Sequence, residues 1–157
     1  MQLLDGNLVS KATRDELKIS VAQRISEGKK MPHLAAILVG NNGASETYIA
    51  NKVKTCEEIG FKSTLIRLED TISEFKLLNI IEDLNNDLDV DGILVQLPLP
   101  SHISDEKVIN AIDPAKDVDG FHPVNVGKVL IGDADAFAPC TPWGSLVLMQ
   151  AYDVSTA

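Results

Sequence analysis

Two residue patterns in this chain have the types and spacing to do chemistry. The first is Tyr48-x-x-x-Lys52 in the segment Ser45-Glu-Thr-Tyr48-Ile-Ala-Asn-Lys52. Residues four apart share a helix face, and helical side chains lean toward the N-terminus, so the Lys52 amine would reach back toward Tyr48. Partial burial and the positive helix end both disfavour an extra positive charge. They would lower the Lys52 pKa and make the amine a usable proton carrier. By itself this pair reads more readily as a chance, half-exposed helix pair, so its surroundings must decide.

The second pattern is the stretch Asp91-Gly-Ile-Leu-Val-Gln-Leu-Pro-Leu-Pro100 followed by Lys116-Asp-Val-Asp-Gly-Phe-His-Pro123. Ile93, Leu94 and Val95 suit a strand covered on both faces, and Pro98 and Pro100 forbid its continuation as a paired central strand. The strand therefore stops near Gln96. In open α/β sheets the ligand crevice lies beyond the carboxyl ends of strands, which is where Gln96 and the Asp117/Asp119 loop fall. Asp113, Asp117 and Asp119 each admit a plainer reading as turn formers bonded to their own backbone. Asp119 gains weight as a site residue because its loop faces the end of the Gln96 strand.

The elements that must position these residues follow from periodicity. Leu17, Val21 and Ile25 recur every four residues and predict a helix over residues 7–28, and an apolar strand follows over 33–40. A second helix over 45–60 carries Ile49, Val53 and Cys56 on one face, before a strand over 61–68. Thr71-Ile-Ser-Glu74 reads as a capping box for a third helix with Leu77, Ile81 and Leu84 inward. The strand over 91–95 comes next, then a helix started by Ser104 and carrying Val108 and Ile112. Thr141-Pro142 predicts the cap of a last helix reaching about Tyr152. This alternation implies an α/β fold, a three-layer αβα domain with a mostly parallel sheet.

Composition narrows the function. The 157 residues, 45% hydrophobic and 24% charged, suffice for one domain with a real core. A net charge of −9 opposes a phosphate-backbone partner, so nucleic acid is not expected. No apolar run spans a bilayer and Met1-Gln-Leu-Leu-Asp-Gly lacks the features of a signal peptide, giving a cytoplasmic reading with no membrane partner. Cys56 and Cys140 are isolated and read as free thiols, Cys56 in the core. His33, His102 and His122 lack metal-like pairing, so no metal is expected. Gly40-Asn-Asn-Gly43 matches no phosphate-loop pattern and reads as a turn.

Taken together, Tyr48-x-x-x-Lys52, Val95-Gln-Leu-Pro-Leu-Pro100, Lys116-Asp-Val-Asp-Gly-Phe-His-Pro123-x-Asn125 and Cys140-Thr-Pro142-x-Gly144 resemble the bifunctional methylenetetrahydrofolate dehydrogenase/methenyltetrahydrofolate cyclohydrolase family in order and spacing. The resemblance covers essentially the whole chain. It implies a folate-binding catalytic domain over residues 1–146, with 147–157 ending a connecting helix and linker toward an NADP-binding Rossmann domain absent from this chain. It implies Lys52 as the proton carrier of methenyl hydrolysis and Gln96 as its hydrogen-bonded partner. Tyr48 would stack on the folate, and Asp119 would accept the pterin's paired donors. Val95, Leu97 and Pro98 would complete the substrate pocket.

The cofactor implied is NADP, held by the absent domain, with none on this chain. The full-length enzyme is expected to be a homodimer and the chain alone a monomer without dehydrogenase activity. The tail Val154-Ser-Thr-Ala157 reads as a cut linker. Trp143 departs from the smaller or charged residue the family carries there, and nothing in the sequence explains it. A short-chain dehydrogenase also uses Y-x-x-x-K, but residues 1–47 lack its glycine-rich nucleotide loop. A non-catalytic folate-binding module remains the alternative.

Overall fold

Strand β1 (His33–Val39) runs through the middle of a parallel sheet, between β2 (Lys62–Leu68) and β3 (Gly92–Val95), in the order β2-β1-β3. The computed structural model describes residues 3–155. Met1-Gln2 of the segment read for a signal peptide, and Thr156 and Ala157 of the expected linker, lie outside the described residues. The register pairs His33 with Lys62 and Leu34 with Gly92. A central parallel strand is buried on both faces, and in β1 only Leu34 escapes full burial.

Because side chains alternate along a strand, β1 feeds two cores. Ala35, Ile37 and Val39 join Ile93 and Val95 under α3 (Glu74–Asn86) and α4 (Asp105–Ala111), whose Leu77, Ile81 and Val108 are fully buried. Ala36 and Leu38 face the other way with Leu94, under Ile49 of α2 (Gly43–Ile59). Truncating Ile37 or Leu77 to alanine would cost about 2–5 kcal/mol by opening a cavity in the core under α3 and α4. The αβα layering and the parallel sheet match the sequence expectation.

Several local expectations are refined or corrected. Helix α1 (Gly6–Ser26) buries only Val21, while Leu17 and Ile25 are 38% and 44% exposed. The reason is that α1 packs on α2 rather than on the sheet. Val21 itself lies over the end of α2, where a Cβ on Gly60 would sit 3.2 Å from Val21 Cγ1. Thr71 caps nothing in α3. Ser73 is the N-cap, accepting from Lys76 N, and Glu74 instead ties α3 to α4 by accepting from Ser104 N at 2.9 Å and Lys107 Nζ at 2.6 Å.

Between α4 and the last helix the sequence reading left residues 113–139 without an element, yet α5 (Pro123–Ile131) forms there. His122 Nδ1 caps it by accepting from Val124 N, Pro123 opens its first turn, and Gly132 ends it at φ +74°. Helix α6 (Cys140–Ala151) starts earlier than expected, behind Pro139 and with no side-chain cap. Pro142 is then inside the first turn, where a missing N–H breaks no bond. No described helix is long and apolar enough to cross a membrane.

Candidate active site

The open half of the α2 face of the sheet is a groove. A cavity of about 450 Å³ lies between α2, β3, the loop after Lys116 and the start of α6, with Leu94 among its lining residues. Tyr48, Lys52 and Cys56, each four residues apart, form one wall about 12 Å long at 1.5 Å per residue. Gln96 and Leu97 lie at the carboxyl end of β3, while Asp119 and Cys140 close the other side.

Each expected site residue now has a place. Asn42 accepts from Ala44 N and Ser45 N and starts α2 directly after the Gly40 turn, which is how Tyr48 and Lys52 reach the strand ends. The Lys52 amine sits 5.0 Å from the centre of the Tyr48 ring and 3.9 Å from Asp119 Oδ1. At 3.9 Å the ion pair is longer than a hydrogen bond, so both groups keep capacity for a ligand. Leu97 lines the cavity, but Val95 and Pro98 do not. Val95 is the strand neighbour of Leu94 and Gln96, so it points into the opposite core.

Gln96 departs most from expectation. Its Nε2 donates to the Leu97 carbonyl at 2.7 Å, and no hydrogen bond to Lys52 is found among the described residues. The lysine cation is drawn to a carboxylate and an aromatic face, both stronger attractions than a neutral amide offers. Gln96 Oε1 is left buried and without a partner. A buried acceptor in that condition is costly unless a ligand or water completes it.

The three aspartates separate by what they touch. Asp113 is a turn former, accepting from Ala115 N at 2.8 Å. Asp117 is 2% exposed and accepts from Gly120 N at 3.1 Å, His122 N at 2.9 Å and Asn125 Nδ2 at 3.0 Å. Asp119 makes no such backbone bond among the described residues and faces the cavity. Burial pushes its carboxyl above the ordinary aspartate value, Lys52 pulls it down, and the Asp117 charge pushes it up.

Sequence reasoning named three contributors, Asp117, Asn125 and Cys140, only within a loop or motif and gave none of them a role in the site. Cys140 Sγ donates to the Val118 carbonyl at 3.3 Å inside the cavity wall, its thiol raised first by burial and then by the Asp119 charge. Buried Asn125 and Asp117 hold the loop from behind, and the unusual Lys116-to-Asn125 motif was the signal for both. His33 touches the floor of the groove, yet Thr64, Asp89 and the Asp89 carbonyl occupy its two ring nitrogens, so it is structural. Among the described residues no three His, Cys, Asp or Glu side chains converge as metal ligands.

An amine beside an aromatic face, a reluctant carboxylate and an unpaired buried carbonyl can move a proton on a flat ligand that donates hydrogen bonds. Relatives carry the same arrangement of chain. The model of the tetrahydrofolate dehydrogenase/cyclohydrolase catalytic domain matches residues 4–119. The chain is 55% identical over all of its 157 residues to the Bifunctional protein FolD of Azobacteroides pseudotrichonymphae, covering 53% of that protein. It is 53% identical to that of Bacteroides thetaiotaomicron, again over all 157 residues and 53% of the relative.

Among solved structures, the bifunctional FolD methylenetetrahydrofolate dehydrogenase/cyclohydrolase of Campylobacter jejuni superposes with a TM-score of 0.95 at 47% identity, over 98% of this chain and 54% of that one. The Trypanosoma brucei enzyme, complexed with NADP cofactor and inhibitor, gives 0.90 at 32% identity, over 96% and 51%. The chain thus spans about half the length of the curated relatives it matches. Sharing their fold and about half their residues along its whole length, this chain belongs to the tetrahydrofolate dehydrogenase/cyclohydrolase family and carries that family's catalytic domain.

Proposed function

We propose that residues 1–146 bind the folate and run the proton transfers of an enzyme interconverting 5,10-methylene-, 5,10-methenyl- and 10-formyltetrahydrofolate. The observation that carries this reading is the convergence of Tyr48, Lys52, Gln96 and Asp119 on one cavity, with Gln96 Oε1 buried and unpaired. Asp119 offers two acceptor oxygens to the pterin's ring N–H and exocyclic amine, and Tyr48 lies against the folate's aromatic middle. Leu97 lines the cavity beside them, while Val95 lies in the opposite core and Pro98 is exposed outside the cavity.

In methenyl hydrolysis a water oxygen bonds to the cationic methenyl carbon and gives a proton to Lys52 acting as the neutral amine. The ammonium so formed lies 3.9 Å from Asp119, which favours it. The unpaired Gln96 oxygen is an acceptor for a hydrogen of that water. The carbinolamine then loses its bond to N5, the electron pair returns to N5, and N5 takes up a proton as the hydroxyl proton leaves. One proton is released overall, matching the loss of the substrate's positive charge.

Oxidation of the methylene compound is assigned to the full-length protein with NADP. The described residues do not fit that nucleotide, so no hydride step is derived from them. The turn Gly40-Asn-Asn-Gly43 lacks the dinucleotide spacing, and a Cβ on Gly40 would meet Asp70 Cβ at 3.3 Å, putting an acid where a pyrophosphate would approach. Residues 147–157 are read as the end of a connecting helix and a linker, although α6 runs unbroken across position 146. A homodimer for the full-length protein, a monomer for this chain, and a cytoplasmic setting complete the reading.

The test is methenyltetrahydrofolate hydrolysis by the full-length protein carrying Lys52→Met. Lys52 borders the core without belonging to it, so the variant should fold and bind folate while hydrolysis falls by several orders of magnitude. Near-wild-type hydrolysis would overturn the proton-carrier role. Binding without turnover in the wild type would favour the non-catalytic module instead.

A further inference from the structure

The loop that presents Asp119 is organised around a second carboxylate that has no cation of its own. Asp117 is buried, its three donors are all neutral, and among the described residues no Lys, Arg or His side chain forms an ion pair with it. Its backbone is fixed as well. Ile93 N donates to the Lys116 carbonyl at 2.7 Å, and Ile93 and Asp117 form a parallel bridge that extends the sheet by one step. Asn125, 1% exposed, spends the same amide nitrogen on Asp117 and on the Pro114 carbonyl.

The chain between these anchors has little freedom. Gly120 sits at φ +70°, and a Cβ there would lie 2.6 Å from the Phe137 carbonyl oxygen. Asp119 is therefore held between the bridge on one side and two clamped N–H groups on the other. Three converging donors suit a carboxylate, whose two oxygens accept all of them. An asparagine has one acceptor oxygen and would turn its amide hydrogens toward the donors. A buried carboxylate with no cation is nonetheless a costly way to close a turn, which calls for a reason beyond the turn.

We propose that Asp117 is a positioning residue: it clamps the turn from Gly120 to Asn125, aims Asp119 at Lys52, and keeps a second negative charge behind that carboxylate. The groups facing Asp119 are Lys52 from α2, Cys140 from α6 and Asp117 from its own loop, with Tyr48 beyond Lys52. With Lys52 charged, the two aspartates leave the cluster net negative, which suits a cationic ligand or one that presents several N–H donors. The Asp117 charge also adds to burial in holding the Asp119 carboxyl above its ordinary value. Only the identity of the ligand rests on the proposed function.

Carbon-13 NMR of the carboxyl groups in the ligand-free chain tests this directly. Asp119 should titrate above the ordinary aspartate value in the wild type and shift downward in Asp117→Asn, because a like charge has been removed. An unmoved Asp119 midpoint in a folded Asp117→Asn variant would overturn the proposal. Should that variant fail to fold, hydrogen exchange in the wild type decides. The Gly120 and His122 amides should exchange far more slowly than open-loop amides, and exchange at open-chain rates would overturn the clamp. With 5-formyltetrahydrofolate as the probe, Asp117→Asn should bind more weakly than wild type, and equal affinity would overturn the aiming role. A shifted midpoint with no probe binding by the wild type would support the Asp117 role and sink the folate reading, so the two fail separately.

Discussion

Replacing Asp119 with asparagine keeps the shape of one side chain and removes its charge. Its side chain is 23% exposed and lies 3.9 Å from Lys52 Nζ, with no backbone hydrogen bond to lose among the described residues. Its carboxyl is raised by burial, so the ionised form is disfavoured in the folded state. For an acid whose folded pKa exceeds the unfolded value, the stabilising contribution is complete below the unfolded value. It is lost as pH rises through the folded one. At neutral pH the ionised side chain therefore opposes folding, and Asp119→Asn should melt no lower than wild type.

Folate binding should respond in the opposite way. One acceptor becomes a donor facing a donor, and each buried donor left unpaired costs about 1–3 kcal/mol. The loss of affinity should be roughly 2–4 kcal/mol, about 30- to 1,000-fold. The pH dependence gives a sharper criterion. Ligand donors favour the carboxylate, so wild-type affinity should fade as pH drops through the raised Asp119 value, above 3.8, while the variant's affinity stays flat in that window. Calorimetric titrations across that range, paired with thermal melts, read both effects. A folded variant with unchanged affinity, or one that melts early and still binds folate, would refute the reasoning.

Three further outcomes are expected. Gln96→Lys puts a second amine into the Lys52 cavity, so hydrolysis should be lost and any residual pH–rate profile displaced, and an unaltered profile would count against a shared site. Lys116→Met removes an ammonium that donates to the carbonyls of Leu84, Asn85 and Asp87 at 2.9, 2.8 and 2.7 Å, capping the end of α3. Its melting temperature should fall by roughly 5–10 °C for a loss of about 2–3 kcal/mol. Gly120→Ala adds a Cβ at 2.6 Å from a carbonyl oxygen in a left-handed conformation, so both denaturant stability and folate affinity should drop.

The parts of the site carried by periodic elements were legible in the sequence. Tyr48 and Lys52 follow from a helix repeat, and Gln96 follows from prolines that stop a strand. In the Lys116-to-Pro123 loop the sequence favoured Asp119 for the cavity but left Asp117 only a turn-former reading, because whether a carboxylate bonds its own backbone or faces a cavity depends on the fold around it. Asp117 and Asp119 differ by two positions, yet one accepts from its own loop and the other faces the cavity. Helix α5 was hidden because its cap is a histidine rather than a residue that usually caps helices, although Pro123 at its first position was a usable sign. The half-exposure of the α1 stripe was not legible, since periodicity reports an apolar face and not what covers it.

The central claim is that these residues hold a complete folate-recognition wall and no nucleotide site. Calorimetric titration of the 157-residue chain with a tetrahydrofolate analogue and, separately, with NADP tests it most directly. Specific folate binding that Asp119→Asn weakens, and no saturable NADP binding, are expected. Specific NADP binding would contradict it, as would a folded chain that binds no folate.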